Sequence, residues 1–177
     1  MIPPERIETA RLILRRPVLE DAAAIFERYA HDPDVTRYLT WRPHQNIART
    51  LDFLRGCGAL WDGHEGFAWA IVQKGETLPI GMIDLRPQGE RAEIGYVLAR
   101  TFWRRGYVTE AARAVVEWAL SRPHVYRVWA VCDVENTASA RVLEKIGMRR
   151  EGVLRRWIIH PNIDGAPRDC YCYAIAK

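Results

Sequence analysis

The sequence reads as an α/β domain of three layers built around one mixed, mostly antiparallel sheet. Three apolar strand segments between Phe67 and Leu98 are separated only by the short turns Gly75-Glu76 and Gln88-Gly89-Glu90, which makes them antiparallel neighbours. Later strand segments are separated by amphipathic helical ones, and a strand reached through a helix can run parallel to its predecessor. At 177 residues the chain is long enough for one domain with a sizeable core and short for two, so residues 1–177 are expected to form a single domain.

The elements follow in order. Arg11 to Arg16 reads as a first strand closed by Pro17. Glu20 and Asp21 sit in the first turn of a helix running through Ile25, Phe26 and Tyr29, where acids suit the dipole; Asp32-Pro33-Asp34 breaks it. Val35 to Pro43 carries aromatics without a period and reads as a loop or short helix over a site. Ile47, Leu51, Leu54 and Leu60 mark a second helix, weakened at its end by Gly56 and Gly58. Strands are expected at Phe67–Val72, Leu78–Leu85 and Ala92–Leu98. A helix over Thr109–Ser121 then buries Ala112, Val115, Val116 and Ala119 and stops at Pro123. A strand at Tyr126–Val131 precedes a helix with Asn136 as N-cap, Val142, Leu143 and Ile146 inward, and Gly147 just past its end. Strands at Arg149–Ile159 and Tyr171–Ala176, joined through a polar turn region at His160–Gly165, complete the chain.

Composition is globular, and the net charge of +4 comes from scattered rather than clustered basic residues, which favours a small anionic ligand over nucleic acid. The start, Met1 to Arg6, lacks the apolar stretch of a signal peptide, and no run reaches transmembrane length; a cytoplasmic setting without a membrane partner is expected. Cys57, Cys132, Cys170 and Cys172 form no C-x-x-C pair, and the five histidines form no metal-binding pair, so reduced core cysteines and no metal are expected.

One stretch carries a chemical signal. The strand ending at Leu98 feeds Trp103-Arg104-Arg105-Gly106-Tyr107-Val108-Thr109-Glu110-Ala111, a glycine-containing turn that opens a helix. Free N–H groups and the positive end of a helix dipole suit an anion, and adjacent arginines suit phosphate. Neither the P-loop nor the dinucleotide fingerprint is present.

This segment, the Asn136-x-x-Ser139-x-x-x-x-Lys145-x-Gly147 segment and the order of elements together resemble the GNAT superfamily of acyl-CoA-dependent N-acetyltransferases. The opening Glu8-Thr-Ala-Arg-Leu-Ile-Leu-Arg15 is most similar to its Rim branch, which includes ribosomal-protein N-terminal acetyltransferases, and the resemblance runs from Glu8 to Ala176. It implies a V-splayed sheet in which the pantetheine arm of acetyl-CoA lies beside the strand Ala92–Leu98 like an added strand. Backbone groups of Val97 and Leu98 would bond the arm and polarise the thioester. The amides of Arg104, Arg105, Gly106, Tyr107, Val108 and Thr109 would hold the pyrophosphate, and Asn136 the pantetheine amide while also capping its helix. Three positions depart from the family pattern. Arg104 replaces a glycine common in the Rim branch, leaving Gly106 as the one position expected to need positive φ. Val108 is expected to add bulk beside the helix start. Leu143 stands where many relatives carry a proton-donating tyrosine.

Direct attack of an amine through a tetrahedral intermediate needs a base, a stabilised oxyanion and a proton for the thiolate. Glu93, on the same strand face as Gly95 and Val97, is the first candidate base, ahead of Asp84, His160 and Asp169; its alternative is a strand glutamate paired with arginine. By the Rim resemblance Ser139 is the candidate acid, its alternative a first-turn serine bonded to backbone. Tyr38, Trp41 and the hairpin tip His160–Arg168 are expected to border the acceptor, a protein N-terminus or a small-molecule amine. A CoA-binding regulatory module without turnover is the second reading. A homodimer through a sheet edge or a helix is one open arrangement.

Overall fold

Backbone pairing arranges the chain as one eight-stranded sheet in a computed structural model that describes all of Met1–Lys177. The strands are β1 (Arg6–Glu8), β2 (Leu12–Arg15), β3 (Phe67–Gln73), β4 (Gly81–Gln88), β5 (Arg91–Leu98), β6 (Arg127–Asp133), β7 (Arg149–Ile159) and β8 (Pro167–Ala176), in spatial order β1-β2-β3-β4-β5-β6-β8-β7. Every pair is antiparallel except β5 with β6, which are joined by the helix α4 (Tyr107–Leu120). The mixed sheet thus follows the expectation, with one parallel pair created by one helical crossover.

That pair is short. Only Arg91, Ala92 and Glu93 pair with Arg127, Val128 and Trp129. β5 stays paired with β4 through Leu98, and β6 with β8 through Asp133. Beyond Glu93 the two central strands therefore diverge, each tied to its own half of the sheet.

Helices cover both faces. On one side α4 and α5 (Thr137–Lys145) close a core of 26 buried residues with Leu12, Leu14, Ile83, Ile94, Val115 and Leu143 among them. On the other, α1 (Ala22–Ile25) and α3 (Ile47–Asp62) bury Leu54 and Cys57 against Met82 and Ala99. A short helix α2 (Pro33–Thr36) lies between them, capped by the Asp32 carboxylate accepting from Asp34 N at 2.9 Å. The Asp-Pro step that ends one helix thereby begins the next, since proline is at home in a first helical turn.

Several boundaries differ from the sequence reading. The first helix is a 3₁₀ turn, four α residues and a π turn through Ala30. β4 starts at Gly81 rather than Leu78, because Pro79 cannot donate to a ladder. β1 has three residues, too few to display a period. The inward stripe of α3 is Thr50, Leu54, Cys57 and Trp61, while Ile47 and Leu60 are 44% and 46% exposed. A threonine enters this stripe because His44 Nδ1 lies 2.8 Å from its hydroxyl, satisfying a polar group that an apolar count passes over. α3 also continues through Gly56 and Gly58; packing overrides their weak propensity. No helix is long and apolar enough to cross a membrane.

Leu143, expected inward on α5, is fully buried at 0% exposure. Leu143→Ala is expected to cost about 3 kcal/mol of folding free energy, measured by urea unfolding, from lost transfer energy plus the cavity left behind.

Candidate active site

The loop after β5 is shaped by two left-handed residues. Gly106, at φ +77°, is the N-cap of α4 and offers no side-chain cap. The first helical bond runs from Glu110 N to Gly106 O at 3.0 Å, so the N–H groups of Tyr107, Val108 and Thr109 precede the ladder and are available to an anion. Arg104 lies at φ +61°. Gly106 is therefore not the sole left-handed position: Arg104, at the place of the Rim-branch glycine, takes a conformation that glycine adopts readily. Trp103 Nε1 donates to Leu98 O at 2.8 Å and anchors the start of the turn. Val108 also departs from expectation, because its side chain is 9% exposed and joins the core under the sheet. Its bulk points away from the cradle.

A second anchor escaped the sequence reading. The Glu110 carboxylate accepts from Thr9 Oγ1 at 2.6 Å, Arg11 N at 2.8 Å and Arg11 Nε at 2.7 Å. Arg11 also donates to Arg105 O at 3.1 Å and stacks 4.6 Å from the Tyr107 ring centroid. Burial raises the Glu110 carboxyl, but these donors outweigh it and hold it below the ordinary range. An acid in a first helical turn was visible in the sequence; its partners, about a hundred residues earlier, were not.

Within the divergence of β5 and β6, Asn136 caps α5 by accepting from Ser139 N at 3.1 Å, which leaves its amide group free to donate. Ser139 Oγ lies 2.8 Å from the Tyr96 hydroxyl, so its side chain is tied to β5 rather than to its own helix backbone. Cys132 is buried nearby, its thiol pushed up to about 12 by burial, with a hydrogen bond to Ser139 opposing the rise.

The opposite face of β5 carries acids. Register pairs Asp84 with Gly95 and Arg86 with Glu93. A Cβ on Gly95 would stand 2.7 Å from Asp84 Oδ1, so the missing side chain is what admits that carboxylate. Arg86 bridges to Asp84 at 2.9 Å and to Glu93 at 3.4 Å. Burial raises both carboxyls, the arginine charge opposes the rise, and for Glu93 the neighbouring Asp84 adds to it. The arginine partner foreseen for Glu93 is present, and Asp84 shares it. Asp169 is engaged elsewhere, accepting from Arg156 N at 2.9 Å and Arg155 Nη1 at 2.5 Å, which lowers its carboxyl.

Val97 and Trp41 pack on the same apolar cluster on this face. Tyr38 meets His160 edge-on at 6.0 Å between centroids, and Asn162 Nδ2 donates to Thr36 O and Trp41 O at 2.7 and 2.8 Å. The α2 loop thus bridges to the β7–β8 hairpin across the open end of the splay. His160 is 2% exposed and lies 3.5 Å from Asp133; burial lowers its pKa more than Asp133 raises it.

A splayed parallel pair, main-chain donors at a helix start and hydroxyl and carboxylate groups on either side of the gap define an acyl-CoA-dependent transferase fold. The acetyltransferase (GNAT) domain family matches residues 11–149, and the chain belongs to this family of acetyl-CoA-dependent N-acetyltransferases, which acetylate amines. It is 35% identical over 174 residues to the uncharacterized N-acetyltransferase YoaA of Bacillus subtilis, covering 97% of this chain and 96% of that protein. It is 21% identical to the [ribosomal protein uS5]-alanine N-acetyltransferase of Escherichia coli, over 95% and 89% of the two chains. Among solved structures, a GNAT-family acetyltransferase from Bacillus anthracis superposes with a TM-score of 0.83 at 32% identity, over 97% and 98% of the chains. The microcin C7 self-immunity acetyltransferase MccE, solved with acetyl-CoA and AMP, superposes at 0.89 with 20% identity, over 99% and 98%, a likeness of fold.

Arg104→Gly is expected to raise stability by about 1 kcal/mol, because only the arginine pays for a left-handed backbone there. Thermal unfolding of the two proteins checks it; a lower Tm for the glycine variant would contradict the assignment of strain.

Proposed function

We propose that the protein acetylates an α-amino group, that of a peptide N-terminus or of a small amino-acid derivative. The arrangement that carries this reading is the gap between β5 and β6, with a main-chain anion cradle at its mouth, Ser139 on one side and the Glu93–Asp84 pair on the other. N–H groups of Arg104 to Thr109 hold the pyrophosphate, the Asn136 amide bonds the pantetheine arm, and backbone groups of Val97 and Leu98 hold the thioester end. Tyr38 and Trp41 border the acceptor.

Glu93 takes a proton from the attacking nitrogen by way of water, because it lies four residues along β5 from Val97, and main-chain N–H groups beside Val97 and Leu98 stabilise the oxyanion as the carbonyl π pair moves to oxygen. As the carbonyl reforms, the C–S pair passes to sulfur and Ser139 Oγ–H supplies its proton. The proton held by Glu93 returns to the serine through solvent, so amine and thioester become amide and thiol with nothing else consumed. A carboxylate base favours an α-amino group, whose pKa of about 8 leaves a usable neutral fraction at pH 7, over a lysine side chain near about 10.4. The whole-chain likeness to an alanine N-acetyltransferase supports the same acceptor class.

Two outcomes test this. In a thiol-release assay with acetyl-CoA, peptides with free α-amines are expected to turn over, and N-blocked peptides bearing only lysine are expected to be poor acceptors; equal rates on both would overturn the acceptor class. Glu93→Gln is expected to lower kcat/KM by about a hundredfold. Arg86→Leu removes the charge that holds the pair down, so the ascending limb of the pH–rate profile is expected to move to higher pH. An unchanged rate and profile in Glu93→Gln would remove that residue from the mechanism.

A further inference from the structure

We propose that Tyr96 is a positioning residue for the leaving group, its phenol holding Ser139 Oγ so that the serine proton points at the thioester sulfur. The inference rests on the assignment of Ser139 as proton donor and goes beyond it, because Tyr96 itself touches no reacting atom.

Tyr96 stands three residues past Glu93, the last residue of β5 paired with β6. Period-2 alternation turns it to the face of Ala92, Ile94 and Leu98, and its ring packs against the core under α4 and α5. From there the hydroxyl spans to α5, 2.8 Å from Ser139 Oγ and 3.2 Å from Ser139 O. It is the only side-chain hydrogen-bonded link between β5 and α5, one element on each side of the gap.

A phenol has one proton to donate. The phenol stands within donating distance of Ser139 O, at 3.2 Å, and of Ser139 Oγ, at 2.8 Å, where either hydroxyl can be the donor; the carbonyl already accepts on the helical ladder of α5, so we assign the phenol proton to the shorter contact. With the phenol donating to Oγ, the serine hydrogen is not engaged by Tyr96 and turns, on this assignment, toward the gap rather than toward the Cys132 thiol. Burial pushes the Tyr96 phenol well up from its ordinary value, so it stays neutral and remains a donor. Asn136 uses the Ser139 N–H rather than its hydroxyl, and the Cys132 thiol, the other hydrogen-bonding neighbour of Ser139, is a weaker partner than an oxygen. A serine at this point of a helix would otherwise rotate among three staggered positions; the phenol selects one.

The test is a double-mutant cycle in the full-length protein. Tyr96→Phe keeps the packed ring and removes the hydroxyl. It is expected to lower kcat about tenfold, the worth of one hydrogen bond, with KM for acetyl-CoA within about twofold. Ser139→Ala is expected to lower kcat about a hundredfold. The double variant should be no slower than Ser139→Ala, since the phenol acts only through the serine. Each variant is first checked for its melting temperature and its stabilisation by acetyl-CoA, which confirm folding and binding. Full kcat in Tyr96→Phe, a loss carried in KM, or losses that multiply in the double variant would each overturn the inference while leaving Ser139 as donor. Full turnover in Ser139→Ala would overturn both.

Discussion

The structure depends on where one parallel pairing stops. β5 is bonded along its length to β4, and β6 along its length to β8, but the two meet over only three residue pairs. Each central strand is held on one edge by its own half of the sheet, while past Glu93 the other edge of β5 has no strand partner. Backbone N–H and C=O groups must be satisfied. The edge of β5 past Glu93 therefore offers main-chain bonds to an extended molecule, and the pantetheine arm of the co-substrate is such a molecule.

The pleat of β5 then divides labour between its faces. Residues 92, 94, 96 and 98 look toward α4 and α5, where the core fixes them and Tyr96 reaches Ser139. Residues 93, 95 and 97 look toward α1 and α3, where Glu93 and Asp84 share Arg86 and Val97 meets the cluster that includes Trp41. The proposed base, Glu93, and the hydroxyl pair of Tyr96 and Ser139 therefore lie on opposite faces of one strand. A single-residue slip in β5 would exchange the two faces.

The turn that opens α4 holds a left-handed residue that is not glycine. Arg104 occupies a left-handed conformation that glycine would adopt at no cost, and Val108 in the first turn of α4 is turned into the core. Neither departure alters the row of amides that precede the ladder of α4. The turn is held from outside by the Arg11–Glu110 pair, which bonds the segment before β2 to both the first helical turn and Arg105 O.

Much of this was legible in the sequence. Short turns forced antiparallel neighbours, the apolar stripes of α4 and α5 marked the helices, and Asn136 and Gly147 marked the ends of α5. These are local signals, set by period, cap and turn chemistry. The turn from β5 into α4 was legible for the same reason, since a strand, a glycine and a helix start lie close together in the chain. The helix α3 was legible, but the part of Thr50 in its buried stripe was not, because that residue is buried through a bond to His44 and polarity alone hides it. Glu110 with Arg11, Asp84 with Arg86 and Glu93, and Tyr96 with Ser139 are pairings of long sequence separation or of cross-strand register. Composition and spacing along the chain fixed which elements form. Only the folded sheet decided which side chains meet, because a register and a splay are properties of strands brought together, not of any one strand.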